Sequence, residues 1–236
     1  MTDTSPADFG EAYFEKLGDS DSDHLVPEHE LILSLMPMER GERVLDVGCG
    51  KGRLAQFLER RVSGIDVVSS DVTDEARKYV AGAFVKCSMT SLPFPDKSFD
   101  KVFCLHVIAH FKEGDEGIKE AFRVLKEGGS LMIITPNKYY VYLSWLATFV
   151  RHFRVKYDST ARWLYSRRSL MKLLENCRWE SMRISYFQNA PRLFPFEALR
   201  AKLVAIAKKG RYATLVFFFS GMIGSLDFVG IFSTTA

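Results

Sequence analysis

The chain has little of what marks a secreted, metal-built or membrane-spanning protein. Its four cysteines, Cys49, Cys87, Cys104 and Cys177, form no Cys-x-x-Cys pair and no cluster with histidine. That argues against a disulfide framework and against structural zinc, and no metal site is expected. The N-terminus carries no apolar signal region. The C-terminal apolar stretch is a poor match to the twenty or so apolar residues, with few charges, that a spanning helix needs, and a single membrane anchor there is the competing reading. The most apolar run, Leu215-Val216-Phe217-Phe218-Phe219, leads into Gly221, Gly224 and Asp227. Net charge is only +3 over 236 residues, with 47% apolar and 26% charged side chains. This is the profile of a reduced, cytoplasmic, globular chain long enough for one large α/β domain.

The small net charge hides an asymmetry. Residues 1–42 carry Asp3, Asp8, Glu11, Glu15, Asp19, Asp21 and Asp23 against Lys16 and Arg40, whereas residues 138–211 are crowded with arginine and lysine. A solvated acidic arm with a solvated basic face accounts for this, and so does a basic half that meets an anionic surface or substrate.

Around Arg43-Val-Leu-Asp-Val-Gly-Cys-Gly-Lys-Gly-Arg-Leu54 the pattern is strand, glycine turn, helix. Val44, Leu45 and Val47 have strand length, Gly48, Gly50 and Gly52 alternate, and Leu54, Phe57 and Leu58 repeat at helical spacing. Such a turn brings backbone amides and the positive end of a helix dipole to a ligand. The spacing is not the Gly-x-Gly-x-x-Gly of a dinucleotide turn. Asp46 would repel a phosphate but suits an ammonium group, which speaks against a nicotinamide oxidoreductase. Val62-Ser63-Gly64-Ile65-Asp66 reads as a second strand ending in a carboxylate, where α/β sheets hold ribose hydroxyls.

With these residues the chain resembles the class I S-adenosylmethionine-dependent methyltransferases, whose first motif is Asp-x-Gly-x-Gly-x-Gly and whose second strand ends in an acid. Leu92-Pro93-Phe94-Pro95-Asp96-Lys97-Ser98-Phe99-Asp100 and the Arg123–Gly129 run, followed by Thr135-Pro136-Asn137, are similar to further stretches of the small-molecule (type 11, ubiquinone-biosynthesis-like) members. The resemblance implies a Rossmann-like, doubly wound, seven-stranded sheet, mostly parallel with an antiparallel last strand. It implies S-adenosyl-L-methionine as cofactor and S-adenosyl-L-homocysteine as product. It places the cofactor against Asp46, Gly48, Cys49, Gly50, Gly52, Asp66, Val67, Ser88, Met89 and Leu105. Ser88 stands where relatives carry an acid for the adenine amine. His110 matches a histidine common in relatives, preceded here by Ala109 rather than Glu. With His106 it is the candidate base if the acceptor is a phenol or enol. A structural histidine capping the strand end is the alternative.

The expected organisation is an acidic arm and covering helix over 1–42, then the methyltransferase domain over 43–236. The domain carries a substrate-side insertion near 138–165 and a basic, apolar insertion near 190–224. Phe9, Tyr13, Phe14 and Leu17 predict a short amphipathic segment, with Tyr13 or Phe14 in a position to cap the ligand. A second helix is predicted from Pro27, a capped short helix over 69–80, and a strand over 130–135. Tyr142, Trp145, Phe149 and Phe153 form an aromatic helical face that is either core or acceptor pocket. Residues 196–223 combine a basic amphipathic helix with the apolar run, which permits peripheral membrane contact as well as a dimer face or ordinary core. A small-molecule or lipid-like acceptor follows. An RNA or protein methyltransferase and a non-catalytic cofactor-binding partner are the alternatives. Nucleic acid is disfavoured because Cys104-Leu105-His106-Val107 stands where an [Asp/Asn]-Pro-Pro-[Tyr/Phe] loop would act on base amines.

Overall fold

The structure, a computed structural model, describes residues 9–16, 22–138, 162–175, 177, 179–189 and 225–234, with the backbone alone at 16, 22–28, 180–189 and 225–234. The aromatic face over 139–153, the helix over 196–209 and the apolar run after it lie outside the described residues. The helices are α1 (Glu11–Lys16), α2 (Ser22–Leu35), α3 (Arg53–Arg61), α4 (Gly114–Val124) and α5 (Arg167–Leu174). The strands are β1 (Arg43–Val47), β2 (Asp66–Asp71), β3 (Ala83–Lys86), β4 (Phe99–Leu105), β5 (Leu125–Pro136), β6 (Trp179–Asn189) and β7 (Ser225–Thr234).

Five parallel strands in the order β3-β2-β1-β4-β5 form the Rossmann-like sheet, and β7 and β6 extend it beside β5 with antiparallel pairing. Each central strand is buried on both faces, as crossover helices require of parallel sheets. Alternate residues therefore feed two cores. Leu45, Val47, Val102, Cys104, Leu131 and Ile133 meet Ile118, Ala121 and Val124 of α4 and Leu170 and Leu174 of α5. Val44, Val67, Phe103, Met132 and Ile134 meet Ile32 of α2, Met36 just after it, and Leu54, Ala55 and Leu58 of α3. The covering helix α2 thus shares the second of these cores.

Several boundaries differ from the expectation. The largest shift is in β2, which begins at Asp66 instead of ending there. Gly64 is a left-handed turn residue (φ 76°) ahead of the strand, and Asp66 pairs across from Arg43 at the start of β1. Ser69 and Ser70 are buried strand residues. In place of the expected helix over 69–80 there is only a 3-10 turn, Asp74–Lys78, capped by Thr73, whose Oγ1 accepts from the Glu75 amide at 3.3 Å. Helix α2 starts at Ser22, five residues ahead of Pro27. Strand β5 starts at Leu125, directly after α4, because the irregular register between Phe99 and Lys101 of β4 lets Lys126–Gly129 pass as a bulge.

Candidate cofactor site

The carboxyl ends of β1, β2 and β4 converge on a cavity of about 340 Å³, within the range of small-molecule sites. Its floor is the turn after β1. Gly48 and Gly50 both have left-handed backbones (φ 68° and 51°). A Cβ on Gly48 would lie 2.3 Å from Val107 Cγ2, so only glycine lets the turn pass under the end of β4. A Cβ on Gly50 would meet nothing within 4 Å, so the backbone there is open to a ligand. The turn is tied to β2: the Cys49 amide donates to the Ser70 carbonyl (2.9 Å) and the Gly50 amide to Asp71 Oδ2 (3.0 Å). Gly52, at φ 64°, is the N-cap of α3.

Asp46 is 2% exposed, lines the cavity, and has no hydrogen-bond partner on Oδ2. Burial pushes its pKa up to about 7, with the nearby Asp71 carboxylate as the second cause. An orphaned buried carboxylate costs free energy until a donor or a cation meets it. Asp71 is also pushed above the usual carboxylate range by burial, against the opposing hydrogen bonds from the Gly50, Thr73 and Val72 amides. Burial, with both carboxylates beside it, pushes the Cys49 thiol up as well, so it stays protonated at neutral pH.

The structure brings together Asp46, Gly48, Cys49, Gly50, Met89, Leu105, His106 and His110 around the cavity. It does not bring Asp66 or Val67. Asp66 lies at the opposite end of the sheet, exposed and ion-paired to Arg43 (3.0 Å), and Val67 is in the α2/α3 core. The acid that ends β2 beside the cavity is Asp71, followed by Val72. Ser88 does not line the cavity. Its hydroxyl bonds Thr90 Oγ1 at 2.9 Å, and Cys87 lines the wall instead. Gly52 shapes the turn without lining it.

The opposite wall comes from α1 and the segment after β4. Phe9, Tyr13 and Phe14 line the cavity, and Phe14, 1% exposed, stacks on Tyr79 with centroids 5.5 Å apart and planes at 4°. Phe9 meets His110 edge-on at 5.4 Å. His110 is buried in a 3-10 turn, Ile108–His110, whereas His106 at the tip of β4 holds the strained φ of 59° and donates its amide to the Ile134 carbonyl (2.7 Å). His29 of α2, Lys51 and Arg53 also line the cavity. The sequence pattern singles out none of these three, nor Asp71.

A glycine turn of this shape, an orphaned acid above it and a parallel sheet in this order coincide with a family match: residues 45–133 fit the model of a methyltransferase domain. The chain is similar to 27-O-demethylrifamycin SV methyltransferase of Amycolatopsis mediterranei, 33% identical over 112 residues, 43% of this chain and 41% of that protein. It is similar to a ubiquinone/menaquinone biosynthesis C-methyltransferase of Pseudomonas putida, 36% identical over 118 residues, 45% of this chain and 46% of that protein. The chain thus spans less than half the length of the curated relatives it matches. The fold matches a SAM-dependent methyltransferase from Archaeoglobus fulgidus with a TM-score of 0.63 at 20% identity, covering 88% of this chain and 93% of that one. S-adenosyl-L-methionine is the cofactor of this class. The residues present fit it. The unmatched Asp46 oxygen suits its positive amino-acid end, the open face of Gly50 leaves room for close approach, and Asp71 ends β2 where ribose hydroxyls are held.

Proposed function

We propose that the protein transfers a methyl group from S-adenosyl-L-methionine to a small-molecule or lipid-like acceptor, releasing S-adenosyl-L-homocysteine. The observation that carries this reading is the buried Asp46, a residue of the cavity lining at the glycine turn, whose Oδ2 has no hydrogen-bond partner. When bound, the cofactor supplies a methyl group already activated on a sulfonium. The protein's own task is alignment and exclusion of water. In this reading Asp46 and the Gly48–Gly52 turn hold the amino-acid end, Asp71 takes the ribose, and Val72, Cys87 and Met89 bound the base. Phe9, Tyr13, Phe14 and Phe111 close a dry, largely apolar acceptor side, and relatives named for a rifamycin and for quinone biosynthesis support acceptors of that kind. His110 and His106, both on the cavity wall, are the groups able to take a proton from a phenol or enol.

The proposal includes the division into an arm over 1–42 and a domain over 43–236 on a seven-stranded sheet with an antiparallel last strand. Peripheral membrane contact through 196–223 rests on that stretch's basic, amphipathic sequence, and among the described residues no helix is long and apolar enough to cross a membrane. The test is incubation of the purified chain with methyl-labelled S-adenosylmethionine and separate metabolite, lipid, RNA and protein fractions. Label in the metabolite or lipid fraction is the expected result. Label confined to RNA or protein, or cofactor binding with no transfer to any fraction, contradicts it.

A further inference from the structure

Many surface cations of this chain are matched by acids: Arg61 pairs with Glu30, Lys86 with Asp74, Lys97 with Glu127, and Arg123 with Asp96 and Glu120. One group is not. Lys112, Arg167, Arg168 and Lys172 are all exposed, and none of their side chains has an ion-pair partner among the described residues. From residue 159 to residue 174 the sequence holds Arg162, Arg167, Arg168 and Lys172 and no acid. Arg167 and Arg168 occupy the first turn of α5, where the helix dipole favours acids, and the capping box of Ser166 and Ser169 serves that helix end without them. Arg168 and Lys172 share one face of the helix at i, i+4, away from the buried Leu170 and Leu174. Like charges at that spacing cost the fold free energy, and such a cost with no local partner points to an external anion.

The group sits at the rim of the cavity. The Trp163 amide donates to the Ala109 carbonyl (2.9 Å), and the Tyr165 hydroxyl fills the space beside Gly114, where a Cβ would lie 2.3 Å from it. These contacts set the start of α5 beside the Ile108–His110 turn and Lys112, next to His110 and Phe111 of the cavity wall. In the adjoining start of α4, Asp115 is paired with Lys119 at 3.6 Å, leaving Glu113 and Glu116, which the four cations outnumber. The chain leaves this rim at Lys138, whose amide donates to the Tyr165 carbonyl (2.8 Å), and returns at Arg162. In between, its sequence adds Arg151, Arg154 and Lys156 against Asp158 alone, among Trp145, Phe149 and Phe153. Basic residues interleaved with aromatics suit the headgroup region of a bilayer. A bilayer meets both features of this rim, with negative headgroups for the cations and hydrocarbon for the cavity side lined by Phe9 and Phe111. The backbone of a nucleic acid meets only the first.

Resting on the acceptor side proposed above, we propose that Lys112, Arg167, Arg168 and Lys172 form a docking surface for an anionic lipid bilayer, which turns the mouth of the cavity toward the membrane. The surface uses residues other than 196–223. Its attraction is electrostatic, so salt weakens it.

The test is co-sedimentation of the full chain with vesicles of phosphatidylcholine alone or mixed with phosphatidylserine, at low and high salt, with calorimetric titration of S-adenosylhomocysteine on the same preparations. The native chain should bind the phosphatidylserine vesicles, leave them at high salt, and ignore phosphatidylcholine alone. Arg167→Gln, Arg168→Gln and Lys172→Gln together should weaken vesicle binding roughly 100-fold, at about fivefold per charge. That variant should keep its S-adenosylhomocysteine affinity, and its melting temperature should be unchanged or slightly higher, since like charges leave a helix N-terminus. Replacing three exposed arginines elsewhere, Arg40, Arg60 and Arg77, by glutamine removes the same net charge and should change vesicle binding by less than about threefold. No binding of the native chain to phosphatidylserine vesicles, or equal losses in the two triple variants, overturns the assignment. So does tighter binding to a single-stranded RNA than to the vesicles with the same dependence on Arg167, Arg168 and Lys172, which would give this face to nucleic acid. Failure of the native chain to bind S-adenosylhomocysteine would count against the methyltransferase reading alone, and vesicle binding would still decide the docking surface.

Discussion

Asp46 places a carboxyl where solvation is poorest, so burial favours its protonated form. With its folded-state pKa raised to about 7 from 3.8, it keeps a proton more tightly in the folded chain than in the unfolded one. Its contribution to stability is therefore most favourable below pH 3.8, is lost as pH rises through about 7, and is constant above that. The full loss is on the order of 4 kcal/mol. A cationic ligand reverses the sign for binding: it needs the ionised carboxylate, so affinity rises with pH up to about 7. Asp46→Asn should accordingly gain little over the native chain near pH 4 and most near pH 8, as read from urea unfolding of the unliganded protein at both values. An advantage that is the same at both pH values would show that this carboxyl does not titrate as its burial implies.

The turn between β1 and α3 is the element on which the site depends, and its glycines are not equivalent. Alanine at Gly50 meets only the backbone cost of a left-handed residue, about 1–2 kcal/mol. Alanine at Gly48 meets that cost and also a contact of 2.3 Å with Val107, adding about 1–3 kcal/mol of overpacking. Chemical denaturation should therefore rank Gly48→Ala as the more damaging, with Val107→Ala restoring part of its loss. Equal losses, or no rescue, would contradict the packing described.

This turn is also the most legible element in the sequence, because alternating glycines after an apolar run leave few alternatives. The neighbouring β2 is not. Ser69-Ser70-Asp71 reads as a polar cap, yet the serines are buried in a parallel strand and Ser70 Oγ reaches the Asp46 carbonyl at 3.4 Å. Polarity there mimics a boundary and places the strand five residues early. That displacement moves the second acid from Asp71 to Asp66. Lys51 and Arg53, at the start of α3, are masked by the apolar periodicity of Leu54, Phe57 and Leu58. His29 gives no local signal, since its place in the cavity depends on how α2 docks.

At the scale of the whole molecule, function depends on strand order. The arrangement β3-β2-β1-β4-β5 sets the ends of β2 and β4 on either side of β1, so acids separated by 25 positions in the chain meet a glycine turn and two histidines in one cavity, with α1 as its aromatic cover. Asp66, although it belongs to the same strand as Asp71, lies a full strand length away in an exposed pair with Arg43. The two acids therefore separate this account from its nearest alternative. Calorimetric titration with S-adenosylhomocysteine should show binding by the native chain, binding weakened by roughly tenfold or more in Asp71→Asn, and native-like binding in Asp66→Asn. Absence of binding by the native chain, or a loss that follows Asp66 and spares Asp71, would contradict the placement of the cofactor at the ends of β1 and β2.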